Sequence, residues 1–109
     1  NSNYLYSTLW NIVDKASNQM VGDLCFKGEP NPKGEIEIGY GIYPAFEGKG
    51  YMTEAIRVLM QWAFAQPGVE AIIAETNNTN IASHRTLEKN NFRKYKVVGE
   101  MYWWRCEQK

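Results

Sequence analysis

Two glycines flank a lysine at Gly48-Lys49-Gly50, where a β-type pattern of residues gives way to a helical one. The first N–H groups of a helix have no partner within it, and the aligned peptide dipoles leave partial positive charge there, so an anion is attracted. Glycine lets the backbone approach such a ligand with no Cβ in the way, and phosphate is the expected guest. Lys49, Thr53 and Arg57 add an ammonium, a hydroxyl and a guanidinium close by. An ordinary loop with two glycines is the other reading of so short a motif. The GxxxxGK[ST] phosphate loop is absent. A dinucleotide fingerprint fits poorly, because residues 44–47 separate the strand from the first glycine and Thr53 holds the third glycine position. Glu75, near the end of the next strand, keeps that alternative open as a ribose-binding acid.

The elements that must position this turn follow from periodicity. Ile36, Ile38, Tyr40 and Ile42 alternate with Glu35, Glu37, Gly39 and Gly41, which predicts a strand ending near Tyr43-Pro44. After Gly50 the period changes: Ile56, Leu59, Met60, Ala63 and Phe64 recur at helical spacing until Pro67-Gly68. Residues 69–75 are short and β-branched and read as a buried strand, giving a strand-helix-strand unit with a parallel pair. Residues 80–90 predict a second helix with Asn78 or Asn80 as cap and Asn90-Asn91 as a left-handed stop. Residues 4–13 and 20–27 predict an opening hairpin, and residues 92–107 two closing strands that break near Gly99-Glu100. The order β-β-β-α-β-α-β-β implies a single α+β (mixed α/β) domain over residues 1–109, with a mostly antiparallel sheet and one parallel crossover.

Composition narrows the class of function. Of the 109 residues, twelve are basic and twelve acidic, so no overall field favours nucleic acid or an anionic membrane. No apolar run approaches the roughly 20 residues that span a bilayer, and the N-terminus carries neither a basic start nor an apolar stretch. Cys25 and Cys106 lie far apart with no CxxC spacing, so two buried, reduced thiols in a cytoplasmic protein are expected, and no metal site. The chain opens on Asn rather than Met, which leads us to expect elements upstream.

Residues 36–55, with Glu47-Gly48-Lys49-Gly50-Tyr51-Met52 at their centre, resemble the acetyl-CoA motif of the GNAT superfamily of N-acetyltransferases, in its ribosomal-protein N-acetyltransferase-like branch. Residues 80–92 resemble that branch's second motif, and the likeness covers nearly the whole chain, while the extra N-terminal strand and helices with which full family members begin have no counterpart before Tyr4. The resemblance implies that the loop from Glu47 to Met52 holds the pyrophosphate of acetyl-CoA through backbone amides around Gly48, Gly50, Tyr51 and Met52, with Lys49 and Thr53 beside it at the cofactor. It further implies that Ile42 and Tyr43 pair with the pantetheine arm, that Asn80 and Ser83 reach the pantetheine or the sulfur end, and that Arg85 or Lys89 meets the adenosine phosphate. Glu47 stands where Gln or Arg is usual, Met52 where Gly or Ala is usual, and Asn91 where Gly is usual. Leu87 occupies the position of a frequent tyrosine acid, which leaves Ser83 or water to serve the departing thiolate.

The implied reaction is transfer of acetyl to a primary amine, of a protein N-terminus or a small molecule, by direct attack in a ternary complex. An amine must lose a proton to attack. Glu37 is the first candidate base and Glu35 the second, with an N–H near Ile42 supporting the oxyanion. His84, the only histidine, is expected on an exposed helix face, while Tyr40, Tyr43 and Tyr51 are candidates to line the acceptor cleft. A non-catalytic CoA-binding or assembly module of the same fold is the alternative, and a homodimer partner is one source of a wall for the acceptor cleft.

Overall fold

The alternation across residues 35–42 builds the central strand. The computed structural model describes residues 9–108. Its elements are β1 (Leu9–Asp14), β2 (Gln19–Phe26), β3 (Glu35–Ile42), a 3₁₀ turn (Pro44–Phe46), α1 (Tyr51–Phe64), β4 (Ala71–Asn77), α2 (Ile81–Lys89), β5 (Arg93–Val98) and β6 (Met101–Glu107). Six strands form one sheet in the order β1-β2-β3-β4-β6-β5, antiparallel throughout except for the β3–β4 pair. The expected order and the single parallel crossover are both present. Residues 4–8 of the predicted first strand lie outside the described residues. No helix among the described residues is long and apolar enough to cross a membrane.

The strands β2, β3, β4 and β6 turn one row of side chains to the helices. From β3, Ile36 and Ile38 pack with Leu24 and Phe26 of β2, Ile72 and Ala74 of β4, and Trp104 and Cys106 of β6. Met52, Ile56, Leu59 and Ala63 of α1 and Leu87 of α2 close over them. Removing such side chains from water stabilises the fold by about 1.5–3 kcal/mol each. The other row, with Glu35, Glu37, Ile73, Glu75, Trp103 and Arg105, lies on the face that no described helix covers. Cys25 belongs to that second row and is half-buried, unlike Cys106, so the expectation of two buried thiols holds for only one of them.

Two strand contacts shape the site. The β3–β4 ladder runs only from Glu35/Ala71 to Ile38/Ala74, although β3 continues to Ile42 and β4 to Asn77. The two strands therefore splay apart. On the other side, Tyr43 N donates to Val21 O at 2.8 Å and Lys27 N to Glu37 O at 2.8 Å, so the odd-numbered residues of β3 address β2. By the alternation of a ladder, Tyr40 and Ile42 aim their main-chain groups into the splay.

β2 and β3 approach so closely that a Cβ on Gly22 would sit 2.4 Å from Gly41 O. Main chain cannot yield there as a side chain would. Gly22→Ala should cost about 1–3 kcal/mol through overpacking, read as a lowered urea midpoint with an unchanged denaturant slope.

Candidate functional site

A cavity of about 390 Å³ opens where the splay meets the two helix starts. β3 lines it with Tyr40, Gly41 and Ile42, the turn into α1 with Glu47, Gly48, Gly50, Met52 and Thr53, and α2 with Asn80, Ser83, Arg85 and Lys89. Most residues expected at the cofactor thus surround one space, although they come from separate stretches of chain. Tyr43, Lys49 and Tyr51 do not line it. Tyr43 donates its N–H to Val21, Lys49 lies 5.9 Å over the Phe46 ring, and Tyr51 packs edge-on to Phe46. Arg57 is paired with Glu54 on the exposed side of α1.

The turn has the geometry that its glycines suggest. Gly48 and Gly50 adopt φ of 76° and 85°, which residues with a Cβ rarely adopt. A Cβ at either would meet nothing within 4 Å, so the backbone faces open space. Gly50 caps α1 with no side-chain hydrogen bond. Glu54 N–H to Gly50 O, at 3.0 Å, is the first bond of the helix, so the N–H groups of residues 51–53 have no acceptor within it. Met52 departs from the small residue usual in the motif because its side chain points inward and is buried in the core.

The second wall is fixed to the first. Asn80 is the cap of α2, its Oδ1 accepting from Ser83 N at 3.2 Å, and Asn91 provides the left-handed stop with φ of 68°. Asn90, buried, donates from Nδ2 to Thr53 O at 3.0 Å, tying the end of α2 to the first turn of α1. Sequence reading cast Asn90 only as part of a helix stop. Its burial between two helices is a property of tertiary packing with no local signature.

His84 corrects an expectation. It is buried rather than exposed, with Nε2 3.0 Å from Asn77 O and its ring 5.2 Å and 5.3 Å from the rings of Tyr102 and Trp104. α2 is laid on the sheet by the buried stripe of Ser83, His84 and Leu87, with His84 against Tyr102 and Trp104 of β6, so the histidine is part of the packing. Leu87 is also wholly buried. The phenol at the cavity comes instead from Tyr40 on β3, whose Oη lies 2.5 Å from Ser83 Oγ. The period-two pattern that put Tyr40 in line with Ile38 and Ile42 was the available signal.

Burial pushes Tyr40 up to about 12 from its ordinary 10.0, against a smaller opposite effect of the Ser83 hydrogen bond. Because the folded-state value is raised, the neutral phenol contributes stability that is complete below pH 10 and is lost as pH rises toward 12. At about 1.4 kcal/mol for each pH unit, that amounts to something on the order of 2 kcal/mol. Tyr40→Phe should flatten this part of the alkaline unfolding curve.

The two candidate bases differ sharply. Glu35 accepts from Asn31 Nδ2 at 3.0 Å and is paired with Arg105, and its carboxyl is held below the ordinary value, first by the Asn31 hydrogen bond and further by Arg105. That makes it a weaker base than an ordinary carboxylate. Glu37 is paired with Lys27 Nζ, 3.5 Å from Oε2, and sits opposite Ile73, one step before the last β3–β4 pair. It stands at the foot of the splay on the uncovered face and does not line the cavity. Glu75 is exposed on that same face, away from the cavity, where it is not placed to meet a ribose held at the glycine turn.

Comparison with known proteins agrees with this arrangement. The chain is 39% identical over 83 residues to the uncharacterized N-acetyltransferase YjdG of Bacillus subtilis, a match covering 76% of this chain and 49% of that protein. In fold it is similar to the ribosomal-protein-S5-alanine acetyltransferase of Vibrio fischeri, with TM-score 0.76 and 21% identity over 91% of this chain and 60% of that one. It is also similar to the Campylobacter jejuni N-acetyltransferase PseH in complex with acetyl coenzyme A, with TM-score 0.67 and 20% identity over 84% and 62% of the two chains. The chain thus spans about half the length of its curated relative. The sequence profile of the Acetyltransferase (GNAT) domain matches residues 1–93, and with the splayed β3–β4 pair leading into a glycine turn at a helix start, this chain belongs to the GNAT acetyltransferase family.

Proposed function

We propose that this domain binds acetyl-CoA in the cavity between the splay and α2 and transfers the acetyl group to a primary amine. The observation that carries the reading is the convergence of an unpaired strand edge and an unpartnered helix mouth on one cavity. The N–H groups of residues 51–53, with the open backbone of Gly48 and Gly50, suit a diphosphate. Arg85 and Lys89 at the α2 wall supply positive charge for a further phosphate, and the main chain of Ile42 offers one more ladder position to an extended amide-bearing arm. Glu47 contributes through its backbone, its carboxylate being exposed. Acetyl-CoA supplies an activated thioester.

From the glycine turn, β3 leads back through Ile42 and Gly41 to Tyr40, so the thioester end belongs beside Tyr40 and Ser83. There Ser83 hydrogen-bonds the sulfur as it departs. An N–H on the free edge of β3 supports the carbonyl oxygen. The amine enters from the uncovered face through the splay, where Glu37 takes its proton, directly or through water. The acceptor is a protein N-terminus or a small amine, met in the cytoplasm, and a second copy of the chain is a candidate for the remaining wall of the acceptor cleft.

Thermal unfolding with and without acetyl-CoA tests the reading. At a hundredfold excess over Kd the ligand should add about 2.7 kcal/mol, a rise on the order of 10 °C for a domain of this size. No rise at millimolar ligand rejects the cofactor assignment.

A further inference from the structure

Tyr40 and Ser83 stand 43 positions apart in sequence, on a strand and a helix, and meet at the cavity with their oxygens 2.5 Å apart. Ser83 is buried, and its own N–H is spent on the Asn80 side chain. Of two hydroxyls so placed, one donates its hydrogen to the other, and either oxygen could be the donor. The choice between the two directions is set by acidity. A phenol is a far stronger donor than an aliphatic alcohol, so Tyr40 gives its hydrogen to Ser83 Oγ. That leaves the serine hydrogen free to turn into the cavity, where Tyr40 and Ser83 both face open space.

We infer that Tyr40 is a positioning residue: its phenol, by donating to Ser83 Oγ, directs and strengthens the Ser83 hydroxyl as a hydrogen-bond donor to the sulfur of the bound thiol or thioester. The inference rests on the acetyl-CoA reading above. In the transfer, the amine nitrogen bonds to the carbonyl carbon, the C–S bond breaks, and its electron pair leaves on sulfur. The amine's surplus proton goes to Glu37 or water, and the thiolate later takes one from solvent. Tyr40 keeps its proton throughout, consistent with a phenol that burial makes harder to ionise. Its contribution is a polarised hydrogen bond chain that favours sulfur in its charged form.

Such a chain must lower the pKa of a thiol held there, whether or not an amine is present. The experiment is an ultraviolet titration of the thiolate of CoA bound to the protein, against free CoA. In the wild type the bound thiol should titrate about one pH unit lower, a tenfold preference for thiolate and equivalent to about 1.4 kcal/mol. Glu47, Arg85 and Lys89 are the charged groups lining the cavity, and they remain in the variants. Tyr40→Phe and Ser83→Ala should each abolish most of the lowering, the double variant no more than either alone, and Ser83→Thr should restore it. A bound thiol that titrates like free CoA in the wild type, or a lowering that survives Tyr40→Phe intact, overturns the inference while leaving acetyl-CoA binding in place. Should Tyr40→Phe fail to fold, 3-fluorotyrosine at position 40, a stronger donor of nearly the same shape, decides instead: the bound thiol should titrate lower still, and an unchanged titration overturns the inference. CoA that neither binds nor raises the unfolding temperature removes the acetyl-CoA reading and this inference with it.

Discussion

Gly50→Ala, and separately Gly48→Ala, are expected to weaken acetyl-CoA binding by ten- to a hundredfold, the largest change that a single methyl group should produce in this chain. The added Cβ would touch nothing in the protein at either site, so core packing is not at stake. The cost to folding is the left-handed conformation itself, about 1–2 kcal/mol. The cost to binding is different in kind. With φ near 76° and 85°, these residues present backbone to the space where a diphosphate would rest, and a methyl group there holds the anion off the N–H groups of residues 51–53. Each tenfold loss corresponds to about 1.4 kcal/mol, which is well within what charge-assisted hydrogen bonds to a phosphate supply. Calorimetric titration of the wild type and both variants decides it. Unaltered affinity in folded variants would show that the phosphates rest elsewhere.

Glu37→Gln should lower kcat for thiol release in the presence of an amine by about a hundredfold or more, the usual scale of a lost general base, while affinity for acetyl-CoA stays as it was. The separation of the two readouts follows from geometry: Glu37 lies on the uncovered face of the sheet, outside the cavity lining, with Lys27 as its ion-pair partner. An exposed pair of this kind contributes at most about 1 kcal/mol to stability, so the variant should fold normally. Glu35→Gln, which removes the charge paired with Arg105 and leaves one acceptor oxygen where Asn31 and Arg105 use two, should instead reduce stability with little effect on kcat. Equal turnover by Glu37→Gln and the wild type would shift the role to water or another group.

Much of this was legible before any coordinates. The strict alternation of residues 35–42 and the helical spacing after Gly50 set β3 and α1 to within a residue or two at each end, because a buried face imposes its period on the side chains. The cap at Asn80 and the stop at Asn91 were legible for a local reason: each depends on one side chain and its immediate neighbours. The short turn at Pro44–Phe46 has no counterpart among the predicted elements, since a single 3₁₀ turn has no periodicity to show.

What the chain order and residue types determined alone was the list of elements, the glycine turn and the family resemblance, all of which are encoded over a few adjacent residues. What only the tertiary structure decided was which of those residues meet. Helix and strand patterns specify a face but not the partner across it, so the burial of His84 against Tyr102 and Trp104, the Asn90 tie to Thr53 and the pairing of Tyr40 with Ser83 could appear only when α2 was laid on the sheet. The splay itself belongs to neither strand. It exists because β3 and β4 part after Ile38 and Ala74, a relation between two segments whose paired ends lie far apart in sequence.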